Sequence, residues 1–149
     1  MLERIAALPK GRWSNSLMTD GYDQSVRLEV AVEIGEDRVH ADFAGSDGVS
    51  RWGINVPLIY TKAYACYALM CVVAPDIPNN WASLSLFTIA APDCILNAPR
   101  PAPVSLRHVF GHMVPDLVLG AFAQALPGQI LAEGAAALWN LHISARPVA

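Results

Sequence analysis

VRLEVAVEIGEDRVHADF (26–43) decides the fold. Val26, Leu28, Val30, Val32 and Ile34 fall on one side of an extended chain, and Arg27, Glu29 and Glu33 on the other, because successive side chains of a strand point to opposite faces. Gly35-Glu36-Asp37 turns the chain, and Val39, Ala41 and Phe43 then alternate with Arg38, His40 and Asp42 on the way back. The result is a β-hairpin with one apolar face. An isolated hairpin is marginal in water, so that face has to lie against a further strand or helix.

Downstream, Gly45 to Gly53 is a loop of small and polar residues, and Asn55-Val56 is extended because a residue before Pro57 disfavours the helical region. Tyr60 to Ala74 carries strong helix formers and almost no polar face, which predicts a helix buried nearly all round. Pro75 to Asn80 ends it, and Leu84 to Ala90 reads as a strand. Ala98 to Pro103 holds three prolines in six residues and is expected to run over the surface. A last helix starts near Val104 and stops at Pro127-Gly128; Pro115 removes a bond to the Gly111 carbonyl and predicts a kink over 111–115. Ala135 to Ile143 could add a final strand or extended segment. Upstream, Leu2, Ile5, Ala6 and Leu8 fit the end of a helix closed by Pro9-Lys10-Gly11. The order β-β-α-β-α-β argues for an α+β fold: a mixed β-sheet with a β-hairpin, a buried central helix and a long kinked C-terminal helix.

The chain has 149 residues, enough for a single domain, but 54% are hydrophobic and only 15% charged, against a usual charged share of about 25%. Such a chain should expose apolar patches, which points to a homo- or hetero-oligomer or a piece of a larger subunit. Net charge is −3 with Lys and Arg scattered, so no nucleic acid is expected. No apolar run reaches the ~20 residues that span a bilayer, and MLERIAALPK lacks a signal-peptide pattern; a cytoplasmic protein away from the membrane is expected. Cys66, Cys71 and Cys94 are odd in number and lack a CxxC spacing, so buried reduced thiols are expected.

His108, His112 and Asp116 are the sharpest local constellation. Residues four apart are neighbours on a helix, and these three would line up on the side opposite Leu106, Met113, Leu117 and Ala121. They are candidates for catalysis, as a general base or as ligands of a first-row divalent ion, or they form a polar helix face at a contact. With Pro115 between them, no metal site is assigned. Asp42 and Ser46 in DFAGSDG (42–48) could bond backbone N–H groups in a turn or form an anion nest. Asn55 suits a side-chain cap near a proline turn, and Arg107 could hold a substrate carboxylate. Asp42, Ser46, Asn55 and Arg107 are thus the substrate-binding candidates. No phosphate loop GxxxxGK[ST], GxSxG elbow or HExxH is present, so a complete active site is not expected in this chain.

The ordered residues Asp42-Phe43, Gly45-Ser46, Gly53-Ile54-Asn55, Pro57, Ile77-Pro78, Asn80, Leu96-Asn97 and Pro101-Ala102-Pro103-Val104 carry a resemblance. From LPKGRW (8–13) to AEGAAALWN (132–140) the chain resembles the middle of the B-type subunit of the hydantoinase B/oxoprolinase family. It departs after Asn80, where the family has Gly and this chain has Trp81-Ala82-Ser83. The resemblance implies a fragment of the B-type subunit of an ATP-dependent N-methylhydantoinase or oxoprolinase, a hydrolase of cyclic amide bonds that pairs with an A-type ATP-binding hydantoinase subunit. Alternatives are a subunit of an ATP-dependent ketone carboxylase such as acetone carboxylase, or a non-catalytic binding or assembly module. The resemblance implies ATP and a divalent metal for the intact complex and no cofactor in this chain, since the metal-binding His and Asp of the carboxylases have no counterpart here. It gives Asp116 a structural or interface role.

Overall fold

The computed structural model describes residues 1–134, and the expected segment Ala135 to Ile143 lies outside them. A short helix α1 (Leu2–Ala6) leads into β1 (Gly11–Thr19), β2 (Val26–Ile34) and β3 (Val39–Asp42), followed by α2 (Leu58–Val73), α3 (Trp81–Leu84), β4 (Phe87–Ala90), α4 (His108–Gly111) and α5 (Val114–Ala125). The four strands form one sheet in the order β1-β2-β3-β4. The first three pair antiparallel, whereas β4 joins β3 in parallel with Val39 beside Phe87. The sheet is mixed and the fold is α+β.

The alternation in β2 does what it predicts: Val26, Leu28, Val30, Val32 and Ile34 are buried, with Val39, Ala41 and Phe43 beside them. Helix α5 covers β1 and β2 through Leu117, Val118, Ala121 and Phe122, and α2 packs on α5. Each such fully buried large side chain contributes about 1.5–3 kcal/mol. Ser83 and Thr61 are buried polar residues, and the Thr61 hydroxyl donates to the Leu96 carbonyl at 2.6 Å.

Several local readings need correction. Strand β1 is additional to the expected order; its inward positions include Asn15, whose amide donates to the Leu117 carbonyl at 3.2 Å, so a polar residue interrupts the apolar alternation. The expected strand from Leu84 begins only at Phe87, because Asn80 and Ser83 form a capping box that winds Trp81–Leu84 into a helical turn. The departure after Asn80 is thus accommodated by a capped turn that needs no glycine. The expected helix from Val104 starts at His108, since the Leu106 N–H is taken by the Gly53 carbonyl at 2.7 Å. The chain does bend there, but Pro115 lies in the first turn of α5, where its missing N–H is no loss. Finally, α2 is buried on one face only: Ile59 is 75% and Tyr67 62% exposed, and of the three cysteines expected to be buried only Cys94 is, Cys66 being half-buried and Cys71 exposed.

Candidate functional site

DFAGSDG (42–48) is laid along β2 by its own polar groups. Asp42 accepts the Ala44 N–H at 3.0 Å, an Asx-turn that leads the chain out of β3. The Ser46 hydroxyl accepts the Glu29 N–H at 3.0 Å and donates to the Glu29 carbonyl at 3.1 Å, mimicking a strand partner. Asp47 continues the pattern: its carboxylate and backbone N–H bond the Arg27 N–H and carbonyl at 2.8 and 2.9 Å. Gly45 passes so close to Glu29 that a Cβ there would strike its side chain.

Asn55, fully buried, organises the next turn. Its carbonyl accepts from the Ser50 N–H at 2.7 Å, and its amide donates to the carbonyls of Ser50, Trp52 and Pro103 at 2.8–2.9 Å. A single side chain thus ties the 50–52 loop to the proline-rich segment. Of the four substrate-binding candidates, Asp42, Ser46 and Asn55 are engaged with backbone in this way. Arg107 is exposed and donates to the Val104 carbonyl at 3.3 Å.

The folded loop opens a cleft of about 440 Å³ against the turn between β1 and β2. Val26, Ile54 and Ile95 line it, and Tyr22, Asp23, Arg51 and Trp52 stand at its edge. Asp23 accepts Arg51 Nε and Nη2, each at 3.0 Å, and Trp52 Nε1 at 2.6 Å. Tyr22 packs on Trp52 with ring centroids 5.3 Å apart, and the Arg51 guanidinium lies 5.0 Å over the indole. The Arg51 guanidinium, followed by the Trp52 N–H, holds the Asp23 carboxyl below the usual aspartate range. Sequence reasoning missed all four residues. The only local signal is a pair of bulky, polar-tipped residues, Arg51-Trp52, inside a loop of otherwise small ones.

The second polar cluster joins α2 to α4. Tyr60 and Tyr64 stack with centroids 4.7 Å apart, Tyr64 stacks on His112 at 5.3 Å, and the Tyr64 hydroxyl and His112 Nε2 share a hydrogen bond at 3.1 Å. The rings of His108 and His112 meet edge-on at 6.4 Å. Burial, then the neighbouring Tyr64 phenol, pushes Tyr60 up to about 12, so it stays protonated. His112 therefore faces a neighbouring helix and not open solvent. Asp116 lies beyond the bend, beside a groove it shares with Leu119 and Ile130. His108, His112 and Asp116 do not combine: among the described residues no three His, Cys, Asp or Glu are placed to hold a metal ion. The described residues by themselves therefore do not fit the divalent metal that the resemblance implies. Burial also raises the Cys66 and Cys94 thiols, which disfavours the thiolate. No helix among the described residues is long and apolar enough to cross a membrane.

A sheet of this topology with a helix pair on one face, and a glycine- and proline-rich loop folded over its end, recurs in known proteins. The Hydantoinase B/oxoprolinase family matches residues 1–148, and the chain belongs to that family. The B-type subunit of a putative D-/L-hydantoinase from Pseudomonas sp. strain NS671 is 29% identical over 97% of this chain and 26% of its own length. An uncharacterized protein of Methanocaldococcus jannaschii is 27% identical over 83% of this chain and 22% of its own. The chain thus spans about a quarter of the length of these relatives. Among solved structures, the ATP-dependent caprolactamase of Pseudomonas jessenii superposes with a TM-score of 0.76 at 20% identity, over 86% of this chain and 23% of that one. Nucleotide-free acetone carboxylase superposes with 0.71 at 13% identity, over 83% and 19%. Both share the fold.

Proposed function

We propose that the chain is a segment of the B-type subunit of an ATP-dependent enzyme that hydrolyses cyclic amides, of the N-methylhydantoinase or oxoprolinase kind. The observation that carries this reading is the likeness to a hydantoinase of the B type along 97% of the chain. In this role the segment supplies scaffold and pocket wall. That suits a loop whose Ser46 and Asn55 are spent on backbone, and a His108–His112 pair whose second ring is held by Tyr64. ATP binds on an A-type partner subunit, and the divalent metal is held by residues outside the segment.

The test is to produce the longer B-type subunit together with its A-type partner and follow ATP consumption with hydantoins and lactams, and separately with ketones plus bicarbonate. ATP-dependent ring opening is expected, and no turnover of ATP or cyclic amide by the 149-residue chain alone. Carboxylation of a ketone without amide hydrolysis would replace this reading with the carboxylase one. Ring opening by the isolated chain would overturn the scaffold role.

A further inference from the structure

Three N–H donors converge on one carboxylate at the edge of the 440 Å³ cleft. Arg51 Nε and Trp52 Nε1 share one oxygen of Asp23, and Arg51 Nη2 takes the other. A forked pair of guanidinium bonds recognises any carboxylate of suitable approach, with the planar fork already set for two oxygens. The Asp23 carboxylate comes from the turn between β1 and β2, and within that turn one backbone bond is made, from the Gly21 N–H to the Gln24 carbonyl at 3.1 Å. The side chains of both Asp23 and Arg51 are largely open to water, at 46% and 74%. Exposed ion pairs of this kind hold weakly and exchange readily. Beside the fork the cleft is lined by the ring of Tyr22 and, at its base, by the largely buried Val26, Ile54 and Ile95, with Asp47 on its wall, one carboxylate oxygen of which accepts the Arg27 N–H. The volume is within the range of small-molecule sites, ~300–1,000 Å³.

We propose that Arg51 and Trp52 form a receptor for a small carboxylate with an apolar or aromatic ring body, and that Asp23 fills it as an internal competitor in the ligand-free chain. An incoming carboxylate takes over the three N–H groups, its ring lies in the cleft beside Tyr22, and Asp23 is released to water with its turn. No bond is made or broken, and the site stands whatever reaction the longer subunit performs. Its direct signature is Trp52, whose indole N–H changes acceptor and whose face is shared with Arg51 and Tyr22.

The test titrates benzoate and cyclohexanecarboxylate, with benzamide and cyclohexanecarboxamide as neutral counterparts, into the full chain, followed by calorimetry and tryptophan fluorescence. The acids are expected to bind with one-to-one stoichiometry and the amides not. Asp23→Ala should tighten acid binding about two- to sixfold, because an internal competitor held as weakly as an exposed ion pair lowers apparent affinity by the fraction of open receptor. Arg51→Ala should abolish binding, and Trp52→Phe should remove the fluorescence response. Circular dichroism checks each variant. Should Asp23→Ala not fold, Asp23→Asn keeps the side-chain shape, competes less, and is expected to tighten binding too. Equal binding of acids and amides, no acid binding at all, or weaker binding in the folded Asp23 variant would overturn the proposal and leave Asp23 as a plain loop tie.

Discussion

At the scale of single residues, Asn55 holds more of the chain than any other polar side chain described above. Asn55→Ala would leave the Ser50 N–H and three carbonyls without their partner, at an expected cost of about 3 kcal/mol in urea unfolding. Asn55→Asp should fail similarly, since a carboxylate accepts but does not donate. A loss below about 0.5 kcal/mol, the range of ordinary surface changes, would refute the assignment. Tyr60 provides a pH test. Its folded value of about 12 lies above the usual tyrosine range near ~10, so between the two the unfolded chain releases a proton that the folded chain keeps. Its contribution is complete below about 10 and declines as pH rises towards 12. The difference in phenolate absorbance between the wild type and Tyr60→Phe should titrate near 12, and a midpoint near 10 would contradict the burial argument. Asn55 was legible in the sequence as a turn-capping residue, whereas Asp23 and Arg51, 28 positions apart, meet only through the fold. Nothing in either local sequence announces that meeting.

Among elements, those with a strong period were legible. The alternation of 26–34 gave β2, its return gave β3, and the apolar run before Pro75 gave α2 with ends displaced by one or two residues. Strand β1 was hidden because its inward Asn15 works as a hydrogen-bond donor to α5, and α3 because a four-residue helix rests on its cap alone. The bend before α5 was readable from Pro115, although the junction also depends on contact between α4 and α2. There Gly111 lies under the Tyr60 ring so closely that a Cβ would strike it. Gly111→Ala should therefore cost about 1–3 kcal/mol by overpacking. Pro115→Ala, at a position with no N–H partner to gain or lose, should stay within about 0.5 kcal/mol. Thermal unfolding of the two variants side by side decides the matter. A near-neutral Gly111→Ala beside a larger loss in Pro115→Ala would mean that the proline, and not the helix contact, fixes the junction.

Across the described residues, the low charge has a visible counterpart: Ile59, Ala63, Tyr67 and Cys71 make an exposed stripe of four-residue spacing along the side of α2 that the other described elements leave uncovered. Continuous apolar surface of this kind favours association. The purified chain is expected to scatter light as more than a monomer and to bind a hydrophobic dye, both reduced in Ile59→Lys with Tyr67→Lys. A dye-free monomer at high concentration would contradict it. The sheet carries a different consequence, one of timing. Strands β1, β2 and β3 follow one another through short turns, whereas β4 reaches β3 only after α2 and α3 have been laid down, so that His40 finds Thr88 48 residues away. Closing the longer loop costs more chain entropy before any contact repays it. The antiparallel meander is thus expected to be formed in the folding transition state and β4 to dock after it. Val30→Ala should slow refolding, while Ile89→Ala should mainly speed unfolding. Stopped-flow kinetics showing the reverse would mean that the long parallel crossover, and not the hairpin at 26–43, nucleates the fold.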